Sequence, residues 1–188
     1  MIKRVSVFCS ACTDIDQKYF ADARLLSSLM IKNEMDLIYG GGKMGLMGAV
    51  SLPFREEGKN CIGVVPQIFS EQLKNIYSTD VVTKDLRERK EKMHTLSDGF
   101  IALAGGFGTL DEIVEAITLK QLKAHKKPIV FVNTNGFYSD LIGFFGSFIK
   151  AGFADSDNSA LYYLAQTPKD AIDYLKNYKY TPLKSKIG

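Results

Sequence analysis

Two glycine-rich turns, one glutamate and one arginine carry most of the chemistry that this sequence offers. Gly105-Gly106-Phe107-Gly108-Thr109 follows the apolar run Phe100 to Leu103 and precedes a helical pattern over Leu110 to Leu122. Glycines remove side-chain obstruction and a helix start presents unpaired backbone N–H groups, so this turn suits the close approach of a phosphate. It is not a Walker loop, since no lysine follows the last glycine, and that argues against ATP hydrolysis. The second turn, Gly40 to Gly45, matches G-x-G-x-x-G through Gly40, Gly42 and Gly45, with Gly41 and Gly42 as its candidate binding positions. A dinucleotide site would want a carboxylate about 20 residues further on. No Asp or Glu lies between Glu57 and Glu71, which leaves a mononucleotide, a phosphate or a purely structural tight turn.

Thr109 and Glu112 stand at the T-x-x-E spacing of a capping box, in which Glu112 closes the helix start. The alternative is a carboxylate held at a glycine-lined pocket, where it can bind ribose hydroxyls, orient a water or stabilise developing positive charge. The run Arg87 to Lys92 lies on an expected helix between Asp85 and Ser97. Such a mixed run is either a solvated face or a face from which one arginine turns inward to fork onto a phosphate or a purine edge. Cys9 and Cys12 form C-x-x-C, a redox spacing that small core cysteines also satisfy. His94 and His125 lack paired ligand spacing and Cys61 stands alone, so no zinc site is expected. No G-x-S-x-G elbow supports a serine nucleophile.

The elements that must position these residues are legible as Val- and Ile-rich runs at Val5 to Phe8, Leu37 to Tyr39, Ile62 to Val65, Thr79 to Val82, Phe100 to Leu103 and Ile129 to Val132. Nearly continuous apolar runs are the mark of buried parallel strands. Between them, Tyr19, Ala23, Leu26 and Met30, and again Ile113, Ile117 and Leu122, repeat at helical spacing. The alternation predicts an α/β fold, a Rossmann-like doubly wound parallel sheet flanked by helices, as a single domain over residues 1–188. The Ile113 to Leu122 face is either a dimer seam or core packing. Ligands in such folds bind beyond the carboxyl ends of the strands, where strand order reverses.

Composition narrows the classes. Apolar residues make up 46% and charged residues 24% of 188, and the net charge is +3, which excludes a disordered or fibrous chain and implies no nucleic-acid surface. Three cysteines suit a reducing compartment. No apolar run approaches the ~18 residues of a membrane span, so the expected location is the cytoplasm.

Taken together, these residues resemble the Lonely Guy family of cytokinin-activating phosphoribohydrolases, long mislabelled as lysine decarboxylases. Ala104 to Glu112 stands for the family's P-G-G-x-G-T-x-x-E, and Arg89-Lys90 with Met93 for its R-K-x-x-M. Supporting stretches are Gly40 to Val50, Ile62 to Pro66, and Gln121-Leu122 with His125, Lys127 and Pro128. The resemblance implies a Rossmann-like homo-oligomer, usually a dimer, that needs no metal or organic cofactor. Its activity would be hydrolysis of the N-glycosidic bond of a purine riboside 5′-monophosphate, giving adenine or an N6-prenylated adenine and ribose 5-phosphate. It also implies Arg89 and Glu112 as the catalytic pair, and Lys90, Gly105, Gly106, Phe107, Gly108, Thr109, Leu110, Asp111, Thr118 and, across a small gap, Glu71 as substrate-binding positions. Departures are Ala104 for proline, Ser10-Ala11-Cys12 for Gly-Ser-Ser, Leu86-Arg87 for Met-His, Leu119 for Trp and Lys123 for Gly. The lost first-loop hydroxyls keep a second expectation alive, a non-catalytic nucleotide sensor or carrier on the same scaffold.

Overall fold

Seven strands, β1 (Arg4–Phe8), β2 (Asp36–Tyr39), β3 (Cys61–Pro66), β4 (Val81–Thr83), β5 (Gly99–Ala102), β6 (Ile129–Val132) and β7 (Tyr163–Ala165), form one sheet in the order β4-β3-β2-β1-β5-β6-β7, every pair parallel. The computed structural model describes residues 2–70 and 80–183. Helices α1 (Gln17–Lys32), α2 (Gly45–Glu56), α3 (Gln67–Ser70), α4 (Leu86–Leu96), α5 (Phe107–Gln121), α6 (Ser139–Lys150) and α7 (Pro168–Asn177) supply the crossovers. The chain walks outward from β1 to β4, then returns to β5 and walks the other way. Strand order therefore reverses between β1 and β5, which is where a doubly wound sheet opens its crevice.

Successive strand residues point to opposite faces, and the continuous apolar runs bury both. Val5, Val7, Leu37, Tyr39, Ile101 and Val130 pack under α1, α2 and α7 through Leu26, Met30, Val50, Phe54 and Ile172. Phe8, Ile38, Val64, Phe100 and Phe131 pack under α4, α5 and α6 through Met93, Ile113, Ala116 and Tyr138. Among the described residues, no helix is long and apolar enough to cross a membrane.

Three element boundaries differ from the sequence reading. The fourth strand spans Val81–Thr83 rather than Thr79 to Val82, and Thr79 lies outside the described residues. Strand β7 adds a seventh member at the sheet edge, three residues, two of them half-buried, too few to register as an apolar run. Helix α5 starts at Phe107, not Leu110, with Gly106 as its N-cap residue. The first turn reads Phe-Gly-Thr, poor helix formers that conceal it from a propensity argument. On α5, Ile113 and Ala116 enter the core while Leu122 is exposed, so the Ile113 to Leu122 stretch is not one uniform face.

Candidate functional site

Helix α4 brings the arginine in. Asp85 caps it by accepting from the Arg87 and Glu88 N–H groups, both at 2.9 Å, and the Glu88 carboxylate reaches back to accept from the Lys84 N–H at 2.7 Å. The cap fixes the rotation of the first turn, so Arg87 and Glu91 face solvent and Arg89 turns towards the sheet. There Arg89 Nε donates to the Val64 carbonyl at 3.0 Å and Nη1 meets Glu112 Oε1 at 2.5 Å. Its other terminal nitrogen lies so close to the turn after β2 that a Cβ on Gly40 would fall 2.6 Å from it.

Glu112 is only 6% exposed. Burial pushes its carboxyl above the ordinary glutamate value, and the charge and hydrogen bond of Arg89 pull back without cancelling the rise. The capping-box expectation fails here. Thr109 lies inside α5 rather than at its start, no side chain caps the Gly106 N-terminus, and the Glu112 carboxylate goes to Arg89. Thr109 is itself buried and packs on Gly105, where a Cβ would come 2.1 Å from Thr109 Oγ1.

Gly106 and Gly108 have nothing within 4 Å of where a Cβ would stand, and Phe107 between them is 90% exposed. Neither glycine has a positive φ. The chain's own packing thus gives no reason for glycine at either position, whereas a group approaching the first N–H donors of α5 would. Lys90 pairs with Asp111 at 2.9 Å and with Glu115, so α4 and α5 are tied together one step beyond the Arg89–Glu112 pair. Leu110 is half-buried beside them.

The turn after β2 behaves differently. Gly41 (φ +78°) and Gly45 (φ +57°) occupy the left-handed region, and a Cβ on Gly45 would sit 2.4 Å from the Ala11 carbonyl carbon. The Leu46 and Met47 N–H groups at the start of α2 donate to the Ser10 carbonyl at 2.9 and 3.4 Å. The anion site expected at that helix start is therefore filled by the chain itself. Gly42 instead lines a cleft of about 320 Å³ with Ala11, Gly40, Met44, Met47, Pro66 and Leu86, and Arg89 closes its inner end. The sequence reading gives Met44, Met47 and Leu86 no role as walls, because apolar side chains scattered over two turns show no spacing that marks a cleft. The Val64 carbonyl escaped it too, a backbone group that no pattern of side chains can reveal.

Other expected positions are scattered. The Thr118 hydroxyl donates back to the Val114 carbonyl at 2.9 Å, and the residue lines a groove between α5 and α6 rather than the cleft. Glu71 lies outside the described residues. Cys9 is buried beside the pair, and burial and the Glu112 charge push its thiol up, the reverse of thiolate activation, while Cys12 is exposed and in no disulfide. Among the described residues no three His, Cys, Asp or Glu side chains gather as a metal site.

The chain has recognisable relatives among known proteins. A family model described as "Possible lysine decarboxylase" matches residues 47–175. A protein of Oryza sativa subsp. japonica named as a probable cytokinin riboside 5′-monophosphate phosphoribohydrolase is 36% identical over 179 residues, 94% of this chain and 73% of its own length. An Arabidopsis thaliana cytokinin riboside 5′-monophosphate phosphoribohydrolase is 34% identical over 179 residues, 94% of this chain and 78% of its own. Among solved structures, the molybdenum cofactor carrier protein of Chlamydomonas reinhardtii superposes with a TM-score of 0.69 at 25% identity, covering 94% of this chain and 97% of that one.

Proposed function

This chain belongs to the Lonely Guy family of cytokinin riboside 5′-monophosphate phosphoribohydrolases, the family whose model keeps the lysine decarboxylase description, and from that membership we propose that it hydrolyses the N-glycosidic bond of adenosine 5′-monophosphates, with or without an N6 substituent. The observation that carries the reading is the buried Arg89–Glu112 pair beside the uncapped, glycine-lined start of α5. A 5′-phosphate on the Phe107 to Thr109 N–H groups would anchor the sugar with its anomeric carbon towards Glu112. Breaking the bond builds oxocarbenium character, which the carboxylate stabilises while it orients the attacking water. Arg89, held by the Val64 carbonyl, opposes the effect of burial on Glu112, favouring its ionised form, and offers donors to the departing base. The apolar cleft beyond Arg89 accommodates the base. No residue of the set calls for a metal or an organic cofactor.

Chromatography of the chain incubated with AMP and N6-isopentenyl-AMP tests the proposal. The expected products are free base and ribose 5-phosphate in equal amounts. Nucleotide that stays bound and intact would instead favour a carrier. That second reading draws on the likeness to the molybdenum cofactor carrier protein and on Ala11 and Cys12, which bring no hydroxyl to the first loop. A homodimer is part of the proposal. Val114, Ile117, Phe144, Phe145 and Phe148 form an apolar groove between α5 and α6 that runs up to Phe107 in the glycine turn, and a second copy seated there would cover it. Light scattering should give twice the chain mass for wild type and the single-chain mass for Phe148→Glu.

A further inference from the structure

The β1–β5 ladder changes register just where the candidate site begins. Phe8 pairs with Ala102, and the Leu103 N–H donates to the Phe8 carbonyl at 3.0 Å. Continuing that parallel register by two residues would bring the Ser10 N–H to the Leu103 carbonyl. It goes instead to the Ala104 carbonyl, at 3.2 Å. One extra residue has entered the β5 side, and a bulge of this kind re-aims the chain that leaves it. The chain that leaves it is Gly105 to Thr109.

The Leu103 carbonyl left behind is not orphaned. The Tyr138 hydroxyl, at the N-cap residue of α6, donates to it at 2.7 Å in a buried setting. Tyr138 is itself fixed from three sides. Its N–H donates to Asn133 Oδ1 at 2.8 Å, and its ring meets Phe131 and Phe137 edge-on with centroids 4.8 and 4.9 Å away. Burial pushes the phenol upward, so it stays protonated and serves as a donor. A buried carbonyl without a partner is costly enough to hold or release a one-residue slip.

We propose that Tyr138 is a positioning residue for the glycine turn: its hydroxyl takes the Leu103 carbonyl out of the β1–β5 ladder, holds the bulge open, and so sets the Gly105–Thr109 backbone for the 5′-phosphate. The phosphate clause rests on the function proposed above; the hold on the turn does not. Without the hydroxyl, the Ser10 N–H is free to fall back to Leu103, drawing the turn one residue into the sheet.

The test is Tyr138→Phe in the full chain, which keeps the ring and its aromatic contacts. Amide hydrogen exchange across residues 103–110 should quicken about tenfold, the worth of one hydrogen bond, with β2 and β6 unchanged. Exchange that is unaltered over 103–110, or that rises equally in every strand, overturns the positioning role. In kinetics, the variant should raise KM for AMP about tenfold with kcat nearly kept, and leave kcat/KM for phosphate-free adenosine as in wild type. Equal losses on AMP and adenosine overturn the phosphate clause. Localised exchange in a protein that releases no base upholds the hold on the turn and refutes the glycosidase reading alone.

Discussion

The two glycine turns look alike in sequence and do opposite work in the fold. In the turn after β2, Gly41 and Gly45 sit at positive φ, Gly40 makes room for the Arg89 guanidinium, and the first donors of α2 are spent on the Ser10 carbonyl. In the turn after β5, Gly106 and Gly108 border open space, no side chain caps α5, and the buried Arg89–Glu112 pair stands alongside. A glycine that the chain needs for itself is explained by what its missing Cβ avoids. A glycine with no such neighbour is explained by what comes from outside. The first turn is scaffold that shapes one wall of a cleft, and the second is the better candidate for contact with substrate.

The largest effect expected from that contrast is on folding. Gly45→Ala must adopt φ +57° with its Cβ against the Ala11 carbonyl, and denaturant melts should show a loss of about 3 kcal/mol or more. Gly108→Ala, in the first turn of α5 with open space around it, should gain about 0.5–1 kcal/mol in the same melts and bind AMP about tenfold more weakly by calorimetry, because the methyl group intrudes on the approach. Equal destabilisation of both variants would erase the distinction.

A pH profile sharpens it further, since Arg89 serves both turns. The acid limb of kcat/KM should lie above the ordinary glutamate value of 4.5, because burial raises Glu112. Arg89→Met, which removes the opposing charge, should move the limb higher still, and an unmoved limb would mean that another group controls it. The smallest effect concerns the far end of α5. Burial holds the Lys120 ammonium down to about 8 against an ordinary 10.5, with the Leu161 carbonyl its acceptor at 2.8 Å. The unfolded chain then binds the extra proton between those values, so the contribution of Lys120 to stability rises as pH climbs from 8 to 10.5. Thermal melts should show the stability of wild type relative to Lys120→Met rising across that range, with the glycine turn and its AMP affinity unaffected.

Much of this was legible in the sequence. Continuous apolar runs locate six of the seven strands because both sheet faces are buried, whereas the three edge residues of β7, two of them half-buried, carry too little hydrophobic signal. The resemblance alone names Arg89 and Glu112 as a pair, and the fold brings them together. The role of Glu112 as a cap was a fair inference from T-x-x-E, yet Gly106 moved the helix start three residues upstream and freed the carboxylate. What stayed hidden was carried by backbone groups, the Val64 and Ser10 carbonyls and the bulge at Leu103, whose partners depend on strand register rather than on residue type. Thr118 shows the converse: its type fits the family position, but its helix face turns it to the α5–α6 groove.

The most direct test of the central claim is a paired measurement on Glu112→Gln: AMP affinity by calorimetry, and base released from AMP by chromatography. The account predicts binding within about threefold of wild type, since the phosphate is held by the glycine turn, and release slower by about a thousandfold or more. Release at the wild-type rate would show that the buried carboxylate beside Arg89 does not perform the chemistry.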